Sequence, residues 1–99
     1  MCGAKAGGVS NEGLVLTNES VIQGVVTRSG EPVAGAYVRL LDGGGEFTAE
    51  VPTSATGQFR FFAAPGTWTL RTLAAGASVV DTSVAANKGE VAEVAISLD

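Results

Sequence analysis

From Ser20 onward, apolar side chains recur at every second position in short runs, and each run stops near Gly, Pro, Asn or Asp. Ile22, Gly24 and Val26 alternate with Gln23, Val25 and Thr27, the period of a strand with one mostly apolar face. Ala36, Val38 and Leu40 line one side of a second strand. Phe47, Ala49 and Val51 mark a third, stopped by Pro52. Phe59 and Phe61 mark a fourth, Trp68 and Leu70 a fifth, and a weaker sixth runs around Ser78–Val84. Val94, Ile96 and Leu98 give the last. Ser29-Gly30-Glu31-Pro32, Asp42-Gly43-Gly44-Gly45, Pro65-Gly66 and Asn87-Lys88-Gly89 separate these runs. They are turn chemistry: Gly tolerates positive φ, and Pro presets φ and ends a ladder. The Ala-rich piece Leu73–Ala77 is the best helix candidate and is too short to form one. Seven strands spaced by roughly 8–12 residues predict an all-β sandwich or barrel.

Val26, Val38, Leu40, Phe59, Phe61, Trp68, Leu70 and Ile96 are the expected core layer between two sheets. Residues 1–18 do not follow the pattern. Gly3, Gly7, Gly8 and Gly13 punctuate them, and Leu14-Val15-Leu16 is their one apolar cluster. The reading is a flexible N-terminal tail over 1–18 and a single domain over 19–99.

Composition narrows the function classes. The chain has 99 residues, 45% of them hydrophobic and only 16% charged, with a net charge of −4. Its Lys and Arg are scattered singly, so no nucleic-acid surface is expected. No stretch approaches the roughly 18–20 apolar residues of a membrane helix. No basic start leads into an apolar run, so no secretory signal is expected and the cytoplasm is the default location. There is no His. That removes imidazole-based catalysis and imidazole zinc sites. The single cysteine, Cys2, excludes an intramolecular disulfide. Asp42, Glu46 and Glu50 lack the spacing of a calcium loop, and the glycines at 43–45 are not followed by a phosphate-binding Lys and Ser/Thr. No metal and no cofactor is expected.

Gly24, Val26, Gly30, Pro32, Gly35, Ala36, Val38 and Leu40 follow a Gly-x-Val, Gly-x-Pro, Gly-Ala-x-Val-x-Leu order. Gly57, Phe59, Pro65, Gly66, Trp68 and Leu70 continue it as Gly-x-Phe, Pro-Gly and an aromatic before Leu. Over residues 20–74 this resembles the carboxypeptidase regulatory-like domain, related in fold to transthyretin and Cna-type B repeats. The resemblance implies a single seven-stranded, prealbumin-like Greek-key sandwich. The whole chain, from Met1-Cys2-Gly3 through Glu46–Val51 to Phe61–Gly66, also resembles a small actinobacterial family called SseC. That family has no assigned activity, and its genes lie beside a thiosulfate sulfurtransferase. Two relatives' chemistries do not carry over. Lys5 and Lys88 fall outside the strands, against a Lys–Asn cross-link of the Cna type. A chain without His, ending Ser97-Leu98-Asp99, lacks the residues of transthyretin-like hydrolases.

Three groups are candidate sites. Cys2 would become the terminal residue on removal of Met1, placing its thiol beside an ammonium group that favours thiolate. Such a thiol is a candidate acceptor of sulfane sulfur as a persulfide; the alternative is an ordinary tail residue. Tyr37, Leu41, Phe62 and Leu73 point away from the core-facing set by strand parity, and form a candidate surface for a partner or a second copy. Cover by a loop or by Leu14–Leu16 is the alternative. Arg39, Arg60 and Arg71 share that outward parity and are candidates for an oxyanion such as thiosulfate, against ordinary cross-strand pairing with Glu46, Glu50 or Asp81. The expected function is a non-enzymatic accessory or interaction protein linked to sulfur metabolism, with a thiosulfate sulfurtransferase as partner. A carbohydrate- or small-ligand-binding sandwich is the alternative, and a small enzyme the least supported.

Overall fold

The computed structural model describes residues 20–99. Eight strands run in chain order: β1 (Ser20–Arg28), β2 (Glu31–Pro32), β3 (Tyr37–Leu41), β4 (Phe47–Pro52), β5 (Gln58–Ala63), β6 (Gly66–Leu73), β7 (Val80–Ala86) and β8 (Val91–Leu98). Seven were expected. The eighth is β2, where Glu31 and Pro32 fold back onto Arg28 and Thr27 instead of ending the ladder. Ser29 and Gly30 both lie at positive φ in that two-residue hairpin turn, which matches the twist of the strands it joins. The Leu73–Ala77 piece ends β6 and closes as a turn, with Ala77 N donating to Ala74 O at 3.2 Å.

The strands form two sheets. In the first, β1 is central, flanked by β5 and the short β2 in antiparallel pairing and by β8 in parallel pairing. The second is fully antiparallel in the order β4-β3-β6-β7. From the first sheet, Ile22, Val26, Phe59, Phe61, Ala63, Ile96 and Leu98 point into the core; Val38, Leu40, Leu70 and Ala86 meet them from the second. Phe59 and Phe61 pack as a tilted ring pair with centroids 6.2 Å apart. The chain passes from β5 to β6, and so between sheets, over Ala64-Pro65 alone. The Trp68 indole N–H donates to Ala64 O at 2.9 Å across that corner. Trp68 was expected in the core layer; it is half-buried and packs against the core's margin.

One expectation about facing fails for a local reason. Phe47, Ala49 and Val51 were read as alternate apolar positions of one strand, which would share a face, yet Phe47 is 62% exposed. The β3–β4 register slips between Leu40 and Leu41, so that Leu40 opposes Ala49 but Leu41 opposes Phe47. One extra residue in β4 reverses parity beyond it. Ala49 and Val51, on the other side of the bulge, keep their core contacts.

Gly57 joins the loop before β5 to β1. Its φ is +75°, and a Cβ there would lie 2.6 Å from Val26 O. Its own carbonyl accepts from Val26 N at 2.8 Å. Thr72 presents the opposite situation. It is fully buried, and its Oγ1 has no hydrogen-bond partner among the described residues. Burying an unpaired hydroxyl costs roughly 1–3 kcal/mol. Two substitutions should therefore move the melting temperature in opposite directions. Gly57→Val should destabilise by more than about 1 kcal/mol, several degrees in a domain of this size. Thr72→Val, which keeps the shape and removes the hydroxyl, should raise stability by about 1 kcal/mol. Calorimetry on the two variants beside the parent checks both signs.

Candidate functional site

Strand parity places Tyr37, Arg39 and Leu41 on the side of β3 away from the core, and the register aligns them with outward positions on every strand of the second sheet. Tyr37 sits between Pro52 on β4 and Leu73 on β6. One step along, Glu50, Arg39, Arg71 and Asp81 stand in a row across β4, β3, β6 and β7. One step further, Leu41 lies between Phe47 and Thr69. The outward side is thus a charged row flanked by Tyr37, Pro52 and Leu73 on one side and by Leu41, Phe47 and Thr69 on the other. Tyr37 is 50% exposed, and a cavity of ≈ 220 Å³ opens beside it, lined by Tyr37, Arg39, Glu50 and Leu73.

The charged row resolves into two pairs. Arg39 Nε donates to Glu50 Oε2 at 2.7 Å. Arg71 makes a forked pair, with Nε to Asp81 Oδ1 at 2.9 Å and Nη2 to Asp81 Oδ2 at 3.0 Å. These hydrogen bonds hold the Asp81 carboxyl below its ordinary range and push the Arg71 guanidinium up. All four side chains are 31–47% exposed, so the pairs orient the groups more than they stabilise the fold.

The expected partner-binding group does not come together as a unit. Tyr37 and Leu73 are cross-strand neighbours on one surface. Leu41 belongs to the same side but is only 6% exposed, because the bulge brings Phe47 opposite it. Phe62 is on β5, opposite Val21 in the first sheet, and so faces away on the other side of the sandwich. Parity says only that a residue points outward; it does not say from which sheet. Phe47 and Pro52 take the places that Leu41 and Phe62 were expected to fill.

The three arginines divide in the same way. Arg39 and Arg71 are directly opposite each other. Arg60 lies on the first sheet, 4% exposed, and donates from Nε to Gln23 Oε1 at 3.1 Å. Gln23 passes the interaction on, its Nε2 donating to Glu93 Oε2 at 2.8 Å. A buried arginine and a carboxylate on the opposite edge strand are thereby linked through an amide on the central strand. Nothing in the alternation distinguished Gln23 from an ordinary exposed strand residue. Beside this row a groove of ≈ 460 Å³ is lined by Gln23, Gly24, Val25, Gln58, Glu93, Val94 and Ala95. Trp68 is not part of it. Cys2 lies outside the described residues, as do Lys5 and the Leu14–Leu16 cluster. Among the described residues, no group of three or more Cys, Asp or Glu could hold a metal ion.

Asp81 provides a test of the row. Its pKa is depressed by Arg71, so the pair's contribution is present above the ordinary Asp range and is lost as pH falls through the lowered value. A side-chain carboxyl NMR titration should find Asp81 titrating below a reference aspartate, and Arg71→Gln should return it upward. An unshifted Asp81 in the parent would remove the fork from the solution structure.

Comparison with known proteins sets this geometry in context. An uncharacterized protein of Mycolicibacterium smegmatis is 68% identical over 62 residues, covering 62% of this chain and 69% of that protein. Two uncharacterized proteins of Mycobacterium tuberculosis, Rv0814c and Rv3118, are each 58% identical over 77 residues, covering 76% of this chain and 77% of theirs. Among solved structures, the minor pilin GBS52 of Streptococcus agalactiae aligns over 85% of this chain with a TM-score of 0.70 and 16% identity. The Bacillus anthracis TIE protein aligns over 81% with a TM-score of 0.71 and 11% identity. Catechol 1,2-dioxygenase from Pseudomonas arvilla aligns over 88% with a TM-score of 0.66 and 14% identity. This chain spans 45%, 17% and 54% of those three chains, and at such identities the likeness is one of fold alone. Residues 2–98 match the family described as protein of unknown function DUF1416, and the chain belongs to that family.

Proposed function

We propose that this protein is a non-enzymatic interaction domain that docks a protein partner through the outward side of the β4-β3-β6-β7 sheet. The observation that carries the reading is the composition of that side. Tyr37 and Phe47, 50% and 62% exposed, flank a row containing two arginines. Aromatic residues and Arg are the types enriched in protein interfaces and in their energetic centres, whereas an ordinary solvated sheet face carries few large apolar groups. The sheet's rigidity adds to this, because side chains fixed by cross-strand neighbours lose little further entropy on binding.

The finer reading places the partner in sulfur metabolism, as a cytoplasmic sulfurtransferase, with Cys2 as the acceptor. It is supported by the SseC-like resemblance and by the single thiol. In that step the Cys2 thiolate attacks the outer sulfur of the enzyme's persulfide, the S–S bond breaks, and the enzyme leaves as its thiolate. Intact mass after incubation with thiosulfate and a sulfurtransferase, beside a Cys2→Ser control, reads it directly. Added sulfur lost in the control supports it, and an unchanged mass rejects it.

The docking reading has its own test. A photo-crosslinking residue at position 37 or 47 should trap one discrete partner in cells, whereas the same group at Asn87, in the β7–β8 turn, should not. Tyr37→Ala should then weaken binding of that purified partner by at least about tenfold, the scale of an interface anchor. Equal capture from all three positions, or a partner indifferent to Tyr37→Ala, would reject the face as the docking surface.

A further inference from the structure

The arginines at the centre of the charged row stand in an arrangement that a sheet ordinarily avoids. Arg39 and Arg71 are directly opposite each other on β3 and β6, and like charges so placed destabilise the pairing. Each guanidinium is drawn outward to an acid on the neighbouring edge strand, Arg39 to Glu50 on β4 and Arg71 to Asp81 on β7. The row therefore reads acid, base, base, acid, with its positive charge gathered in the middle.

A guanidinium offers five N–H groups. Arg39 commits its Nε, and Arg71 its Nε and Nη2. Both Nη atoms of Arg39 and Nη1 of Arg71 make no hydrogen bond among the described residues. Arg39 also lines the ≈ 220 Å³ cavity, which has Tyr37 and Leu73 as apolar walls and Arg39 and Glu50 at its charged side. Uncommitted cationic donors and an apolar hollow thus adjoin on one rigid surface.

Resting on the docking reading, we propose that the partner's contact segment carries a carboxylate next to an aliphatic side chain. The carboxylate sits between Arg39 and Arg71, and the aliphatic group enters the hollow between Tyr37 and Leu73. Charge complementarity selects this occupant over a second copy of the same face. The row reads the same from both ends, so a twofold pairing in register would set acid on acid and base on base. A carboxylate over the middle instead relieves the Arg39–Arg71 repulsion and takes charge-assisted hydrogen bonds from both. The chain's net charge of −4 does not oppose this at contact, since at physiological salt charges beyond about 8 Å are screened.

The test uses the full-length protein and capped peptides. An acetylated, amidated Gly-Ser-Glu-Leu-Ser-Gly peptide is titrated beside its Glu-to-Gln counterpart, following backbone amides and arginine Nε–H signals by NMR. The expected result is movement of the Arg39 and Arg71 Nε–H signals together with the Tyr37 and Leu73 amides. The Gln peptide should bind at least about tenfold more weakly, the loss expected for a charge-assisted bond. Glu50→Gln should tighten the Glu peptide, because the competing carboxylate is gone, an effect a merely structural Glu50 would not produce. Arg39→Gln should abolish the preference for Glu over Gln. Arg39→Lys, which keeps charge without the fork, should retain some of it and serves if Arg39→Gln does not fold.

Equal affinity for the two peptides, or Arg39 and Arg71 signals that stay still at millimolar Glu peptide, overturns the proposal. If the Gln peptide moves Tyr37 and Leu73 as strongly as the Glu peptide does, the carboxylate is rejected while the docking face stands. Failure of crosslinking at positions 37 and 47 rejects the face itself, independently of either peptide.

Discussion

The parallel pairing of β1 with β8 is the constraint on which the first sheet depends, and it rests on a missing side chain. Gly24 opposes Val94 in that register, and a Cβ there would sit 1.9 Å from Val94 O and 3.1 Å from the Phe59 ring. Only glycine lets the two backbones and the ring occupy that space. With β8 in place, Ile96 and Leu98 reach the core beside Ile22 and Val26. The strands that pair are some 70 residues apart in sequence, as Gln23 and Glu93 illustrate. Such closure carries an entropic cost before any contact offsets it, which is characteristic of slow-folding, non-local β topologies.

The two sheets then divide their roles. The first has an outward row linked across three strands, Arg60 to Gln23 to Glu93, and Val21 beside them is fully buried. The second leaves large apolar groups in water and holds its charges in exposed pairs. The cross-sheet corner at Ala64-Pro65, closed by Trp68, and the Thr53 hydroxyl, which accepts from Ala36 N and donates to Val33 O, fix the loops between them. The outward side of the second sheet is therefore held by the rest of the sandwich without contributing much to its core.

Much of this fold was legible in the chain. Alternation found every strand of three residues or more, because a strand with one buried face writes a period of two into its sequence. The turns were legible because Gly30 and Gly57 occupy positive-φ conformations that residues with a Cβ resist. The site was only partly legible. Tyr37, Leu73, Arg39 and Arg71 were identified as outward, but outward from which sheet depends on long-range pairing that no local pattern encodes, which is why Phe62 and Arg60 separated from them. The bulge at Leu40/Leu41 was also invisible, since one extra residue leaves composition unchanged while reversing Phe47. The buried Arg60–Gln23–Glu93 link depends on three strands meeting and left no trace in any one of them.

The parallel alignment of β1 and β8 has a mechanical consequence. Val21 through Arg28 lie beside Val91 through Leu98, running the same way. A pulling force applied at Ser20 and at Leu98 therefore acts at opposite ends of two parallel strands and loads their cross-strand hydrogen bonds in shear. The rungs must yield together, whereas in an antiparallel hairpin pulled at its open end they would break in succession. A sandwich tethered through these two strands would transmit tension while its second sheet stayed intact and presented.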